Sequence, residues 1–245
     1  METSTTEDTL LGGRVRLLQP RRGYRVAVDA VLLAAATEAA SGDSILDLGA
    51  GVGAVGLCLA IRVPDCRVTG IELQPALAAL AERNARDNAL SDRVRTIVHD
   101  LAQPLPAGLG PFDRVATNPP YLAAAVADPS PDAGKALATV ESSAGLARWL
   151  EVATGALKPA GTLTIVHRSD RLDEITAHLA RLGWGDIAVK RLPPAARVLV
   201  RARHASAHSP TSIVHNSPPL VLHRPDGGYT DEAEAVLRNA GAISF

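Results

Sequence analysis

Residues 118 to 121, Asn-Pro-Pro-Tyr, combine groups that could act on a planar nitrogen. The exocyclic amine of a nucleobase and a carboxamide nitrogen are weak nucleophiles, because their lone pair is delocalised into the π system. The side-chain oxygen of Asn118 and the backbone carbonyl of Pro119 could accept hydrogen bonds from the two N–H groups of such a nitrogen. These hydrogen bonds would favour a more tetrahedral nitrogen. Prolines 119 and 120 restrict the backbone, so both acceptors would be aimed before the substrate arrives. Tyr121 could stack on the planar group and stabilise a nearby cation.

A glycine-rich turn lies earlier in the chain, where an apolar run ending in Asp47-Leu48 continues into Gly-Ala-Gly-Val-Gly at residues 49–53. Such a turn lets a ligand approach the backbone, and parallel sheets bind ligands beyond the carboxyl ends of their strands. Asp47 could face an ammonium group. Glu72 ends the next predicted strand and could accept two ribose hydroxyls, and Asp100 ends the third and could hold an adenine amine. With residues 118–121, this set predicts methyl transfer to nitrogen from S-adenosylmethionine.

Alternative interpretations of both motifs stay open. Residues 51–56 match the G-x-G-x-x-G pattern of dinucleotide-binding turns, and Glu72 would serve a nicotinamide cofactor equally well. Asp47 and Gly49 extend the pattern upstream, where the dinucleotide motif requires neither, and this favours the methyl donor. The glycines could also serve only to pack a helix on a strand. Asn118-Pro119 could simply begin a rigid loop, since Asn-Pro is common in turns.

The elements around these motifs alternate between strands and helices. Strands are predicted over 44–48, 67–71, 94–98, 112–117 and 161–166, with helices over 54–62, 75–88 and 142–157. This alternation predicts an α/β fold, Rossmann-like and doubly wound, with a mostly parallel seven-stranded sheet and an antiparallel edge strand. We expect the edge to come from strands over 184–191 and 197–203. The long connection over 122–140 is a candidate lid.

The ends of the chain carry weaker signals. Residues 1–9 are expected to be a disordered tail, and residues 10–245 a single domain. That domain would comprise an N-terminal segment covering the cofactor (10–42), a core (43–203) and a C-terminal extension (204–245). Residues 10–18 suggest a hairpin, and Asp29 is a good N-cap for an Ala/Leu-rich helix. Near the C-terminus, 204–218 resembles a loop, followed by a short strand (219–223) and a helix (231–239).

Composition limits the classes of partner. The 245 residues carry a formal net charge of −1, so no overall field attracts nucleic acid. Two cysteines are too few for a disulfide framework or a zinc site, and we expect no metal. Their low number suits a reducing cytoplasm. The acidic N-terminus does not resemble a signal peptide, and charges and glycines interrupt every apolar stretch, so no membrane association is expected.

These motifs resemble those of class I S-adenosylmethionine-dependent methyltransferases that act on amino nitrogens. Within that group the chain is most similar to bacterial tRNA1(Val) adenine-N6 methyltransferases, which modify the adenine beside the anticodon of a valine tRNA. In that family, stretches similar to residues 19–25 and 28–33 help to enclose the methionine end of the cofactor. The resemblance implies catalytic roles for Asn118, Pro119, Pro120 and Tyr121. It implies cofactor contacts from Tyr24, Asp29, Asp47, Leu48, Gly49, Ala50, Gly51, Gly53, Glu72, Leu73, Asp100, Leu101 and Asn118.

Two related groups share the tetrapeptide and remain alternatives. They are the release-factor glutamine N5-methyltransferases and the ribosomal RNA guanine-N2 methyltransferases. A non-catalytic RNA-binding module and an NAD-binding protein are more remote possibilities. For RNA phosphates the sequence offers Arg21 and Arg22, together with Arg197, Arg201 and Arg203 on one face of a predicted strand, although a solvated strand face would look the same. The sequence leaves open whether the protein is a monomer or a weak dimer.

Overall fold

The computed structural model describes residues 4–23, 25–121, 143–204 and 212–245. In these ranges the strands are β1 (Thr5–Leu10), β2 (Val15–Pro20), β3 (Ser44–Leu48), β4 (Arg67–Glu72), β5 (Val94–Val98), β6 (Phe112–Thr117), β7 (Leu157–Arg168), β8 (Trp184–Arg191), β9 (Arg197–His204) and β10 (Ile213–Ser217). The α-helices are α1 (Val28–Ala36), α2 (Ala54–Arg62), α3 (Pro75–Asp87), α4 (Leu146–Ala156), α5 (Leu172–Arg181) and α6 (Asp231–Asn239). Short 3-10 helices cover Leu11–Gly13 and Ser169–Arg171.

The central sheet confirms the predicted α/β fold. Its strand order in the described ranges is β10-β8-β9-β7-β6-β3-β4-β5. All neighbouring pairs are parallel except those that β9 makes with β7 and β8. The sequence predicted seven strands; the eighth is β10, which lies in a segment expected to be a loop. Because β10 forms this edge of the sheet, β8 is not an edge strand and the antiparallel β9 is the third strand from the edge.

Helices cover both faces of the sheet, as the alternation of strand residues requires. Ile45 on β3 contributes to a core with α1, α2 and α6, whereas its neighbour Leu46 faces a second core with α4 and α5. The strand order reverses between β3 and β6, and Leu48 there pairs with Thr117. The two predicted motifs therefore leave adjacent strands at the same edge of the sheet.

The expectation of a disordered tail over residues 1–9 is wrong for the described part of that segment. Residues 5–10 form β1, which pairs antiparallel with β2 in a separate hairpin. Polar contacts hold the pair: Asp8 Oδ2 accepts hydrogen bonds from Gln19 at 2.8 Å and Arg25 at 2.7 Å. The prediction failed because strand pairing uses backbone groups, and a polar two-stranded hairpin needs no alternating apolar pattern. The turn predicted within residues 10–18 connects the two strands.

The C-terminal segment packs against α1. Its helix α6 has the predicted bounds, and the Thr230 hydroxyl caps it by accepting from Ala233 N at 3.1 Å. Beyond it, Ile243 N donates to Ala35 O at 2.9 Å. The strand predicted over 219–223 is replaced by a single bridge between His223 and Tyr229. Among the described residues we find no helix with the length and apolar character to cross a membrane.

Candidate active site

A cleft opens at the carboxyl ends of β3, β4, β5 and β6, with about 830 Å³ of empty space including its mouth. It brings together ten of the predicted site residues, from four separate segments of the chain: Gly49, Gly51, Glu72, Leu73, Asp100, Leu101, Asn118, Pro119, Pro120 and Tyr121. The cleft wall also contains residues that sequence reasoning missed: Ile71, Gln74, Leu77, His99, Ser143, Ala144 and Trp149. Ile71, Gln74 and Leu77 lie close to Glu72 in the sequence, and His99 directly precedes Asp100, so proximity to these two residues was the available signal.

The glycine turn is shaped by contacts that exclude larger residues. Gly49 has φ +76°, a left-handed conformation that side chains disfavour. A Cβ atom added there would also lie 2.5 Å from Cη2 of Trp149. Gly49 N and Ala50 N both donate to Ile71 O at 2.9 Å, which fixes the turn to β4. Trp149 therefore forms part of the cleft wall against the turn.

Glu72 connects this turn to the loop after β4. Its Oε2 accepts from Gly51 N and its Oε1 from Gln74 N, both at 2.8 Å. Burial raises the pKa of Glu72, and these backbone hydrogen bonds partly oppose the increase. Each carboxylate oxygen has a further lone pair, so the group can still accept hydrogen bonds from two hydroxyls.

Asp47 lies behind the turn and outside the cleft wall. Its side chain is 2% exposed, and Oδ2 has no hydrogen-bond partner among the described residues. Burial and the nearby charge of Glu72 raise the pKa of Asp47 to about 7, although a hydrogen bond from the Gly56 backbone opposes them. Leu48, Ala50 and Gly53 also lie outside the cleft wall and form the backbone of the turn beside it.

Asp100 follows β5 and also lines the cleft. Its Oδ1 accepts from Ala102 N at 2.9 Å and from the Ser143 hydroxyl at 2.7 Å. These two hydrogen bonds lower the pKa of Asp100, in that order of effect. An ionised carboxylate held in this way can accept hydrogen bonds from an amino group of a ligand.

The tetrapeptide at the end of β6 is held by buried polar groups. The Tyr121 hydroxyl lies 2.7 Å from Asn118 Oδ1 and 2.9 Å from Asp29 Oδ2. The Arg197 guanidinium lies over the Tyr121 ring, 4.5 Å from its centroid, and donates from Nε to Asp29 Oδ2 at 3.2 Å. Together these contacts fix the ring and one end of the Asn118 amide.

His167 supports the same loop from the core. It is fully buried, and its Nε2 lies 3.3 Å from the carbonyl oxygen of Pro120. Burial lowers the pKa of His167 to about 4, so the ring is neutral at pH 7 and must carry its proton on Nε2 to donate to that carbonyl. Its ring also meets Tyr121 edge to face, with centroids 5.4 Å apart.

Several predicted residues occupy unexpected positions. Asp29 neither caps α1 nor lines the cleft; the helix begins after Ala27 without a side-chain cap, and the carboxylate contacts Tyr121 and Arg197 instead. Tyr24 and the predicted lid over 122–140 lie outside the described residues.

The arginines of β9 do not form a solvated face. Arg201 is only 8% exposed, and it forms an ion pair with Glu38 that Arg203 shares. Arg201 also lies over the ring of Phe245. These contacts arise because β9 lies inside the sheet, where α1 and the C-terminal segment cover it. Arg201 therefore cannot serve as a contact for RNA phosphates, whereas Arg21 and Arg22 are exposed.

Residues 25–175 match the family model of the methyltransferase small domain. The chain belongs to this family. A tRNA1(Val) (adenine(37)-N6)-methyltransferase of Porphyromonas gingivalis is 31% identical over 220 residues, which cover 85% of this chain and 85% of that protein. A release factor glutamine methyltransferase of Chlorobaculum tepidum is 35% identical over 112 residues, or 44% of this chain and 38% of that protein.

Among solved structures, a predicted O-methyltransferase of Agrobacterium tumefaciens has a TM-score of 0.68 at 27% identity, covering 88% of this chain and 98% of that protein. The chain is thus a methyltransferase with the predicted fold, and its methyl donor is S-adenosylmethionine. The cleft fits that donor, since Glu72 and Asp100 present carboxylate oxygens in its wall beside a turn that glycine keeps open to ligands. Behind the turn, Asp47 Oδ2 has no hydrogen-bond partner among the described residues.

Proposed function

We propose that this methyltransferase modifies the exocyclic N6 amine of an adenine in tRNA, namely the adenine beside the anticodon of a valine tRNA. The main structural support for methyl transfer is the pairing of Leu48 with Thr117, which brings the glycine turn and Asn118 into one cleft. The choice of acceptor is supported by the tRNA1(Val) (adenine(37)-N6)-methyltransferase of Porphyromonas gingivalis, which aligns over 85% of both chains. An anticodon loop is single-stranded, so an adenine there can leave its stack at low energetic cost.

Asn118 Oδ1 and the Pro119 carbonyl are the acceptors proposed for the two N–H bonds of the adenine amine. As the nitrogen becomes tetrahedral and gains positive charge, these hydrogen bonds strengthen. Tyr121 stacks on the base, which holds the nitrogen in line with the donor. No general base is required, because the proton leaves the nitrogen after the methyl group has been transferred.

The donor residues have distinct proposed roles. The bound donor supplies a methyl group activated by a sulfonium sulfur. Glu72 accepts hydrogen bonds from the two ribose hydroxyls, and Asp100 accepts one from the adenine amino group of the donor. Asp47 acts from behind the turn, where the charge of its ionised form stabilises the ammonium group through water. Gly49 and Gly51 leave room for the donor against the backbone.

The proposed RNA contacts are reduced to Arg21 and Arg22. Both are exposed and lie directly after β2. Arg197 and Arg203 pair with Asp29 and Glu38, and cations neutralised in this way attract phosphates less strongly. Substitution of Arg21 and Arg22 by glutamine should therefore raise the KM for tRNA and reduce its salt dependence, with little effect on kcat.

The test uses unmodified tRNA and a labelled donor. Purified protein is incubated with total tRNA that lacks the modification, and the RNA is digested to nucleosides. The expected product is N6-methyladenosine, and Asn118→Ala serves as the catalytic control. Labelled N2-methylguanosine would replace adenine by guanine as the acceptor. Labelling of a release factor in place of RNA would favour the glutamine reaction, since a carboxamide nitrogen presents the same two N–H bonds to Asn118 and Pro119.

A further inference from the structure

The Tyr121 hydroxyl has more acceptors than protons. It carries a single hydrogen, yet Asn118 Oδ1 lies 2.7 Å away and Asp29 Oδ2 lies 2.9 Å away. Asn118 Oδ1 is the atom proposed to receive the substrate amine. The amide oxygen has two lone pairs, so a hydrogen bond from Tyr121 does not exclude the amine but uses one lone pair and weakens acceptance at the other. A hydrogen bond from Tyr121 to Asp29 leaves both lone pairs of Asn118 Oδ1 to the amine.

We propose that Asp29, held by Arg197, is a positioning residue that takes the Tyr121 hydrogen bond when the substrate amine engages Asn118. This inference rests on the proposed function. The amine donates to Asn118 Oδ1, and the hydroxyl hydrogen turns to Asp29 Oδ2. No covalent bond changes, and the tyrosine keeps its proton. Asp29 therefore acts through Tyr121 and touches neither substrate nor donor.

The surroundings of Asp29 allow its carboxylate to accept the hydrogen bond of the Tyr121 hydroxyl. Its side chain is 12% exposed, and its Oδ2 also accepts a hydrogen bond from Arg197 Nε at 3.2 Å, which compensates the buried charge. A carboxylate accepts a hydrogen bond more strongly than an amide oxygen does. The same guanidinium lies over the Tyr121 ring, 4.5 Å from its centroid. Arg197 therefore fixes both the Asp29 carboxylate and the ring that carries the Tyr121 hydroxyl.

The position of Asp29 differs from both roles that the sequence suggested. As a ligand of S-adenosylmethionine it should face the cleft, but it is absent from the cleft wall. As a helix cap it should bind the first backbone N–H groups of α1, but α1 has no side-chain cap. Its described polar contacts are with Tyr121 and Arg197, which lie far from it in the sequence.

Steady-state kinetics of a double-mutant cycle test the proposal. Asp29→Asn keeps the shape but weakens the acceptor, and we expect kcat for tRNA methylation to fall about tenfold while the KM for the donor stays unchanged. Tyr121→Phe removes the hydroxyl and keeps the ring. In the Tyr121→Phe background, Asp29→Asn should change kcat by less than about twofold, since no hydroxyl remains to donate a hydrogen bond to residue 29. A tenfold loss in that background, or a raised donor KM with unchanged kcat, would overturn the proposal.

Glu38→Gln is the matched control. Glu38 follows α1 and pairs with Arg201 and Arg203 of β9, so it joins the same two elements without touching the tetrapeptide. We expect this variant to melt at a lower temperature and to keep kcat within about twofold of wild type. An equal loss of kcat in Glu38→Gln and Asp29→Asn would mean that general loosening explains both, and the positioning role would be abandoned.

A readout independent of the acceptor separates this inference from the proposed function. The chain has three tyrosines, and Tyr121→Phe assigns the Tyr121 signal in a protein labelled with ¹³C at the tyrosine ζ carbon. Asp29→Asn should shift that signal in the free protein, and Glu38→Gln should not. No shift refutes the inference, even if tRNA is methylated. A shift without tRNA methylation refutes the proposed acceptor but keeps the contact. Should Asp29→Asn fail to fold, the double variant with Arg197→Gln removes both charges and serves for the same measurements.

Discussion

Asn84 on α3 joins the N-terminal hairpin to the glycine turn, and its removal tests the energetics of that connection. The side chain is fully buried. Its Oδ1 accepts from Leu18 N at 2.8 Å, and its Nδ2 donates to Leu18 O and to Val52 O, both at 2.9 Å. The amide thus pairs with β2 as a neighbouring strand would, and it also reaches Val52 inside the turn.

The expected cost follows from these three hydrogen bonds. Asn84→Ala leaves Leu18 N–H, Leu18 O and Val52 O without this partner in a dry environment. At about 1 kcal/mol for each bond, the free energy of unfolding should fall by about 3 kcal/mol, and by more where the groups stay unsatisfied. Asn88 makes the equivalent pair with Arg16, at 2.9 Å and 2.7 Å, but near solvent. Water can replace that amide, so Asn88→Ala should cost less than about 1 kcal/mol.

Urea unfolding of the two variants measures this difference directly. Calorimetric titration with S-adenosylmethionine adds a functional readout, because a loosened Val52 should weaken donor binding in Asn84→Ala by about tenfold, whereas Asn88→Ala should bind as wild type does. Equal losses of stability in the two variants would refute the reasoning, since burial is the main difference between the two amides.

The remaining predictions concern the cleft. Asn118→Ala should lower kcat about a hundredfold and leave donor affinity unchanged in calorimetry; a variant with an unchanged rate contradicts the catalytic role. Gly49→Ala should weaken donor binding at least tenfold, roughly, because it adds a clash with Trp149 to the backbone strain; Gly108→Ala, with φ +78° and open space, is its control. The raised pKa of Asp47 means that the folded protein without donor binds this proton more tightly than the unfolded chain does. Stability should therefore decline as the pH rises from about 4 to about 7, and Asp47→Asn should exceed the melting temperature of wild type by more at pH 8 than at pH 5. A constant difference between the two melting temperatures would argue against this ionisation.

Local signals in the sequence determined the type of most elements and the chemistry of the cleft. Helix α2 and strands β3 and β6 have the predicted bounds, because glycines, prolines and apolar runs act over a few residues. The alternation of strands and helices then placed Glu72 and Asn118 at the carboxyl edge of the sheet. At that edge, the Asn118 amide and the Pro119 carbonyl follow one strand and a glycine turn follows another. This combination of groups indicated methyl transfer to nitrogen.

The tertiary structure alone decided which distant residues meet. Asp29 contacts Tyr121 across 92 positions, and Trp149 closes on Gly49 from a helix whose sequence gave no sign of the cleft. Arg201 looked exposed because alternation along a strand is a local property, whereas burial depends on the neighbours of that strand. With β9 inside the sheet, between β7 and β8, Glu38 after α1 and Phe245 of the C-terminal segment cover Arg201. Periodicity acts along the chain, but strand order and long-range side-chain pairing depend on how the whole chain packs, so the sequence alone could predict the reaction class and not the contacts that hold its catalytic loop.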